Sequence, residues 1–156
     1  MRSGIGIDAH RLVAGRALIV GGVTIPFEKG LEGHSDGDVL LHAIADALLG
    51  AAALGDLGDH FPSERADLKG ISSLKIIAAV GHKVRGAGYK IANLDGVVIA
   101  QQPRLKPYVA KMREGIARAL EIGEDRVSIK ATSTDHLGFA GREEGIAAQA
   151  VALLET

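Results

Sequence analysis

The stretch from Val39 to Ala53 is apolar at nearly every position, and the two polar side chains inside it, His42 and Asp46, are spaced four apart with Asp38 four residues earlier. Four residues is about one helical turn, so the three form a stripe on a helix otherwise made of Val, Leu, Ile and Ala. A polar stripe on such a helix must face something polar. The segment Ser35-Asp36-Gly37-Asp38 precedes the apolar run. It predicts Ser35 as the N-cap with Asp38 at the third position, and a helix reaching Gly50 or a little beyond.

The flanking patterns are mostly strands. Residues 4–9 alternate Gly and Ile before Asp8, which predicts a short strand with Asp8 and His10 on one side. Two β-branched runs around Gly21-Gly22 predict a hairpin over 17–27. The Gly-rich segment L-G-D-L-G-D-H-F-P reads as loop. Ser72 or Ser73 caps a second helix stopped by Gly86 and Gly88. A strand over 90–101 follows, then a third helix opened by Pro107 and running to about Glu121. Residues 126–131 alternate as a strand, and the polar segment from Thr132 to Gly145 reads as a long loop. Residues 146–154 stay open between helix, for their Ala content, and strand, for their shortness.

Composition limits the chemistry. The 156 residues fit a single domain. The chain has no cysteine, so any metal must be held by His and carboxylates, and the missing disulfides fit a reducing compartment. With net charge −1 and five aromatic residues, neither a nucleic-acid platform nor a basic membrane binder is expected. The longest apolar run is too short to span a bilayer and the opening residues do not read as a signal peptide, so a soluble cytoplasmic protein is expected. Residues 1–60 carry a net charge of −4 with four of the six His, and the remainder carries +3. A cation site beside a phosphate site would have that asymmetry, as would randomly spread surface charge.

Several constellations can carry chemistry. Asp8, His10 and His42 form a two-His, one-carboxylate set that suits a catalytic Zn²⁺ with one position left for substrate. Gly33-His34-Ser35 leads into a helix N-terminus, where amides can receive a phosphate. Thr132, Ser133 and Thr134 offer hydroxyls and Asp135 a carboxylate after a strand. In A-Q-Q-P-R-L-K-P, Arg104 and Lys106 can clamp a diphosphate or simply be solvated. No Walker loop and no Ser-His-Asp pattern is present.

G-I-G-I-D-A-H, I-V-G-G-V-T-I-P, the block from His34 to Pro62 and K-A-T-S-T-D-H-L-G-F-A-G-R-E-E-G together resemble the 2-C-methyl-D-erythritol 2,4-cyclodiphosphate synthase family over essentially the whole chain. The resemblance implies an α/β (α+β two-layer) fold, a mixed sheet packed on helices, assembled as a homotrimer with active sites between subunits. It implies a lyase step of the non-mevalonate isoprenoid pathway. The 2-phosphate of 4-diphosphocytidyl-2-C-methyl-D-erythritol 2-phosphate attacks the β-phosphorus and releases CMP. Carried over residue by residue, Asp8, His10 and His42 would bind Zn²⁺, with Asp38 and Asp46 behind them. Asp135 would help a second ion, Mg²⁺ or Mn²⁺, bridge the phosphates, and His34 and Ser133 would stabilise the transition state. Asp8, Ala9, His10, His34, Ser35, Asp56, Leu57, Gly58, Phe61, Pro62, Ser63, Glu64 and Arg65 would contact the phosphates and the methylerythritol part. Ala100, Gln101, Gln102, Pro103, Arg104, Leu105 and Lys106, with Thr132, Ser133, Thr134 and Asp135, would take the cytidine diphosphate end. Phe139 and Arg142 match positions beside a cavity on the trimer axis associated with isoprenoid diphosphates, although Ile7 replaces the usual aromatic there.

The chain departs from the family pattern at Asp135 (Glu expected), Ser133 (Thr), Ser63 (Asp) and Arg104 (Lys). Two rival functions fit the same residues: a metal-dependent phosphohydrolase, which would release inorganic phosphate or an open-chain product, and a non-catalytic nucleotide-binding trimer.

Overall fold

The structure is a computed structural model describing residues 1–156. Strand β1 (Arg2–Ala14) pairs antiparallel with β7 (Gly145–Glu155) over ten residue pairs, from Arg2 with Leu154 to Arg11 with Gly145. Beyond β7 lie β5 (Lys90–Ile99), antiparallel to it, and β6 (Val127–Thr132), parallel to β5. On the other side of β1 the short β4 (Lys29–Leu31) completes a five-stranded mixed sheet in the order β4-β1-β7-β5-β6. The parallel β5–β6 pair needs a crossover, and α4 (Val109–Leu120) supplies it, burying Met112, Ile116 and Leu120. The expected two-layer mixed fold is therefore present, with α1 (Val39–Ala52), α3 (Ser73–Gly86) and α4 contributing buried side chains to a common core beside the sheet.

Helix α1 lies directly on the central strands. A Cβ at Gly6 would run into the carbonyl of Ala43, and one at Gly4 into the carbonyl of Ala47. On β7 the facing positions Ala148, Ala150 and Ala152 are buried and small. This resolves the ambiguity of residues 146–154: their alanines suit a helix, but here they let a helix approach a strand that two neighbours pair on both sides. The Gly21-Gly22 turn joins β2 (Leu18–Val20) to β3 (Val23–Ile25), and both glycines have positive φ, 61° and 77°, as a two-residue hairpin turn requires.

Four local expectations are corrected. Helix α1 is capped by Asp38 and not by Ser35, because Gly37 at φ 77° turns the chain out of a helical path between them. The segment read as loop after Gly55 holds a one-turn helix, α2 (Leu57–His60), closed by reciprocal bonds between Asp56 and Asp59. Pro107 opens a single 3-10 turn, Lys106–Tyr108, and α4 begins only at Val109. The polar loop after Thr132 contains one helical turn, α5 (Gly138–Gly141).

The sheet face turned away from α1 has no layer over it. Ile5, Ile7 and Val151 point outward there and are 58%, 65% and 44% exposed. Register places Ile5 beside Val151 and Val97 beside Gln149, with half-buried Ile99 and Leu153 on the same face. At its edge Lys130 and Asp95 form an ion pair.

Candidate metal centre and substrate pockets

Asp8 and His10 are two residues apart on β1, so both face α1, and His42 meets them from the first turn of that helix. Asp8 Oδ2 lies 2.7 Å from His10 Nε2 and 3.0 Å from His42 Nδ1, and the two ring nitrogens are 3.2 Å apart. His10 Nδ1 donates to the Glu32 carbonyl at 2.6 Å, so in the neutral ring Nε2 is a lone pair. His42 Nε2 points the other way, toward the hydroxyls of Ser35 (3.0 Å) and Ser73 (3.1 Å). Lone pairs thus converge on one point, which only a cation or shared protons can satisfy.

The geometry suits a metal. Ligands about 2.0–2.1 Å from a tetrahedral ion are separated by roughly 3.3 Å; the separations here are 2.7, 3.0 and 3.2 Å, so a small opening between Asp8 and His10 would admit one. The electrostatics keep the carboxylate ionised, while the same pair holds the His10 proton in competition with a metal. Burial pushes the Asp8 carboxyl up, but hydrogen bonds from His10 and His42 and their charge outweigh it and hold the group at about 2. Burial pushes the His10 imidazolium down, and the bond to Asp8 and its charge more than offset this, raising it above 6.5.

The stripe read from the helix divides. Only His42 faces the site. Asp38 is completely buried, and its carboxylate accepts the amides of Gly21 (2.9 Å), Gly22 (2.7 Å) and Leu41 (3.1 Å). It ties the hairpin to the start of α1 and makes no contact with a metal ligand. Asp46 accepts the Leu57 amide at 2.7 Å and so anchors α2. Four residues per turn exceeds the helical 3.6, so a stripe eight residues long drifts around the axis.

The remaining candidates fall into separate cavities. His10, His34, Ser35, His42, Leu57, Phe61 and Ser63 line one of about 200 Å³, with Leu68, Ile71 and Ile76 as apolar wall. His34 Nε2 donates to the Arg65 carbonyl at 3.0 Å, closing the 61–65 segment over it. Of the neighbouring candidates, Asp56 caps α2, Gly58 lies within it and Arg65 pairs with Asp67, but Asp56, Gly58, Pro62, Glu64 and Arg65 do not line this cavity. A second cavity of about 280 Å³ is lined by Ala100 to Lys106 with Ala131, Thr132 and Ser133. The two share no residue. Thr132 pairs with Ile99, Ile99 with Ala147 and Ala147 with Ala9. Three strand spacings, roughly 14 Å, therefore separate them across the sheet. Thr134 and Asp135 belong to the second region. Gln101 Oε1 accepts the His136 amide at 3.0 Å, and Asp135 and His136 both have left-handed backbones, at φ 51° and 67°. Asp135 is exposed and joins no cluster of metal-ligating groups. Phe139 lines a third hollow with Ala9 and His10, and Arg142 a fourth, where Glu144 pairs with it.

Sequence reasoning did not place Arg16, Asp36 or Ser73 at the site, and gave Ser73 only as a possible helix cap. Arg16 donates to the carbonyls of Gly33 (3.0 Å) and Ser35 (3.1 Å), holding the loop that carries His34. Nothing in a lone Arg of a turn signals this. The Ser-Asp-Gly-Asp run did single out Asp36, but as part of a cap.

Fold and site together define an enzyme of the two-layer α+β class, with a two-His, one-carboxylate set that could hold a metal ion between a sheet strand and the helix on it. The YgbB family model matches residues 1–155. The chain is 59% identical over 155 residues to the 2-C-methyl-D-erythritol 2,4-cyclodiphosphate synthase of Desulforamulus reducens and 56% identical to that of Syntrophomonas wolfei, covering 99% of each chain in both comparisons. Among solved structures, it matches the bifunctional IspDF of Campylobacter jejuni with TM-score 0.94 and 41% identity, over 98% of this chain and 42% of that one. It matches a CDP-bound 2C-methyl-D-erythritol-2,4-cyclodiphosphate synthase with TM-score 0.90 and 32% identity, over 99% and 100%. The chain belongs to the YgbB family of 2-C-methyl-D-erythritol 2,4-cyclodiphosphate synthases.

Proposed function

We propose that this chain converts 4-diphosphocytidyl-2-C-methyl-D-erythritol 2-phosphate into 2-C-methyl-D-erythritol 2,4-cyclodiphosphate and CMP, as a phosphorus–oxygen lyase acting in a homotrimer. The observation that carries this reading is the pairing of a metal-ready Asp8-His10-His42 centre with a second, phosphate-suited cavity on the far side of the same sheet. One oxygen of the 2-phosphate forms a bond to the β-phosphorus, the bond from that phosphorus to the bridging oxygen breaks, and the electron pair leaves with CMP. No water is consumed. Zn²⁺ at the triad, and Mg²⁺ or Mn²⁺ near Asp135, would supply positive charge to phosphate oxygens that otherwise repel each other.

The chain's own residues then hold and exclude. His34 and Ser35 face the same hollow as the triad and would orient the phosphate there, while Leu57, Phe61, Leu68, Ile71 and Ile76 would take the carbon skeleton and keep out water. Arg104, Lys106, Thr132 and Ser133 would hold the cytidine diphosphate end. The two cavities of one chain lie on different strands of the sheet, with β5 and β7 between β1 and β6. Trimer formation through the uncovered Ile5, Ile7 and Val151 face would set one subunit's triad beside its neighbour's nucleotide cavity. The CDP named in the match above is the ligand class expected in that cavity. Incubation of the purified protein with the cytidyl substrate and Mg²⁺, followed by ³¹P NMR, should give CMP and cyclic diphosphate in equal amounts. Inorganic phosphate or an open-chain product would instead identify a phosphohydrolase.

A further inference from the structure

The hydrogen-bond chain ending on His42 leads back to a carboxylate that the reading above does not use. Ser73, wholly buried, is the first residue of α3. Its hydroxyl lies 2.5 Å from Asp36 Oδ1 and 3.1 Å from His42 Nε2. Its backbone amide donates to the other oxygen of Asp36, Oδ2, at 2.8 Å. Ser72, the residue in N-cap position, makes no side-chain cap bond, so Asp36 caps α3 from across the chain. The two loops are also joined along their backbones: the Asp36 amide donates to the Ile71 carbonyl at 3.1 Å and the Gly70 amide to the His34 carbonyl at 2.8 Å.

The donor order along this chain is determined. An ionised carboxylate has no proton to give, so the short contact with Asp36 Oδ1 uses the Ser73 hydroxyl proton. Ser73 Oγ then offers His42 only lone pairs. His42 Nε2 must carry the proton and donate it, and Nδ1 is left as the lone pair facing Asp8 and His10. Ser35 Oγ lies 3.0 Å from the same Nε2, but its proton is tied to no carboxylate, and it lines the substrate hollow. Ser35 can therefore turn toward a phosphate without changing the tautomer of His42.

We propose that Asp36 and Ser73 are positioning residues for the metal centre, acting through His42: the chain Asp36–Ser73–His42 sets the ligand's tautomer and ring angle, and Asp36 links this to the start of α3. The inference rests on the reading of Asp8, His10 and His42 as metal ligands. Partners behind a ligating histidine typically change metal affinity by about 10- to 100-fold when removed.

The test is the Zn²⁺ dissociation constant of the full chain, measured by competition with a chromophoric chelator, with far-UV circular dichroism as the check on folding. Ser73→Ala removes the hydroxyl but leaves the backbone amide that Asp36 caps. Asp36→Asn keeps every heavy atom in place. Asp36 Oδ1 also accepts the Asp38 amide at 3.1 Å, so neither orientation of the Asn amide satisfies all three donors. With its NH₂ toward Ser73 Oγ the hydroxyl proton turns to His42 and favours the wrong tautomer, and with its NH₂ toward the Ser73 amide the link to the start of α3 is lost. Both variants should bind Zn²⁺ about 10- to 100-fold more weakly, Ser35→Ala should stay within about twofold, and His42→Ala should hold no stoichiometric Zn²⁺. If Ser73→Ala does not fold, Asp36→Asn decides alone. Unchanged affinity in Asp36→Asn, with Zn²⁺ lost in His42→Ala, overturns the positioning role and leaves the metal reading standing. Full Zn²⁺ binding by His42→Ala overturns the metal reading itself.

Discussion

At the residue scale, a metal held by Asp8, His10 and His42 would compete with protons for the same lone pairs. Asp8 raises the folded-state value of His10 above 6.5. In the metal-free protein this bond stabilises the fold fully below about pH 6.5, the unfolded value, and the contribution is lost as pH rises through the raised folded value. Zn²⁺ has the opposite preference, since it needs His10 deprotonated. Its apparent affinity should fall up to about tenfold per pH unit below the His10 value, which chelator competition across a pH series would reveal. A flat profile between pH 8 and 5.5 would count against His10 as a ligand. Asp135 raises a different question, because the resemblance in sequence leads to an expectation of Glu there. Aspartate has one methylene less, about 1.5 Å of reach, and Mg²⁺ demands ligands at about 2.0–2.1 Å. Its left-handed backbone at φ 51° is tolerated better by Asp than by Glu. We expect Asp135→Glu to lower the Mg²⁺ concentration needed for half-maximal rate with unchanged Zn²⁺ content. A metal titration with no change, or a slower enzyme, would mean that the 132–135 loop is built around aspartate.

At the scale of elements, Asp38 joins three pieces of backbone. Its carboxylate accepts amides from both turn glycines of the β2–β3 hairpin and from the first turn of α1. Burial pushes its carboxyl up to about 6, against the pull of those three amides. Because the folded value lies above the unfolded 3.8, this group's contribution is greatest below about 3.8 and declines as pH rises through about 6. Asparagine presents one oxygen and one NH₂, so Asp38→Asn must set a donor against one of the amides. The expected loss is about 1–3 kcal/mol, seen as a lower urea midpoint with unchanged slope, together with loss of the stability change between pH 6 and 4 that this group produces. The Zn²⁺ content should stay the same, since Asp38 touches no ligand.

At the scale of the molecule, the triad and the cavity lined by Ala100 to Lys106, the proposed nucleotide cavity, lie on opposite sides of two intervening strands, and the sheet leaves a face of Ile5, Ile7 and Val151 open to water. An exposed apolar face on a folded domain marks an interaction surface. Sites shared between subunits, as proposed, lead to a complementation test. A His42→Ala subunit mixed with one bearing Arg104→Ala and Lys106→Ala should regain part of the activity after subunit exchange, because some interfaces then pair an intact triad with an intact nucleotide cavity. Confirmed exchange without rescue would place both halves of the site within one chain. No helix is long and apolar enough to cross a membrane.

Local patterns carried much of this information. Period-two alternation placed Asp8 and His10 on one side of β1, the Gly21-Gly22 turn was legible as a hairpin, and apolar spacing located α1, α3 and α4, because these features depend on neighbours within a few residues. The residues of the triad were legible as a chemically suitable set. Their convergence was not, since it depends on Gly4 and Gly6 bringing α1 onto the strand. The cap of α1 and the fate of Asp38 and Asp46 were equally out of reach of the pattern. Which amide a carboxylate meets is decided by what packs opposite, here a hairpin for one and α2 for the other. The last strand makes the same point, because alanine is small enough for either structure. By itself, then, the sequence determined which segments form the three long helices and the hairpin, and that Asp8, His10 and His42 are a set chemically able to hold a metal. Only the tertiary structure decided that residues 145–155 pair as a central strand, that Asp36 and Ser73 stand behind His42, and that the two cavities lie apart. Those outcomes depend on hydrogen bonds and packing between segments far apart in the chain, whose free energies no local window contains.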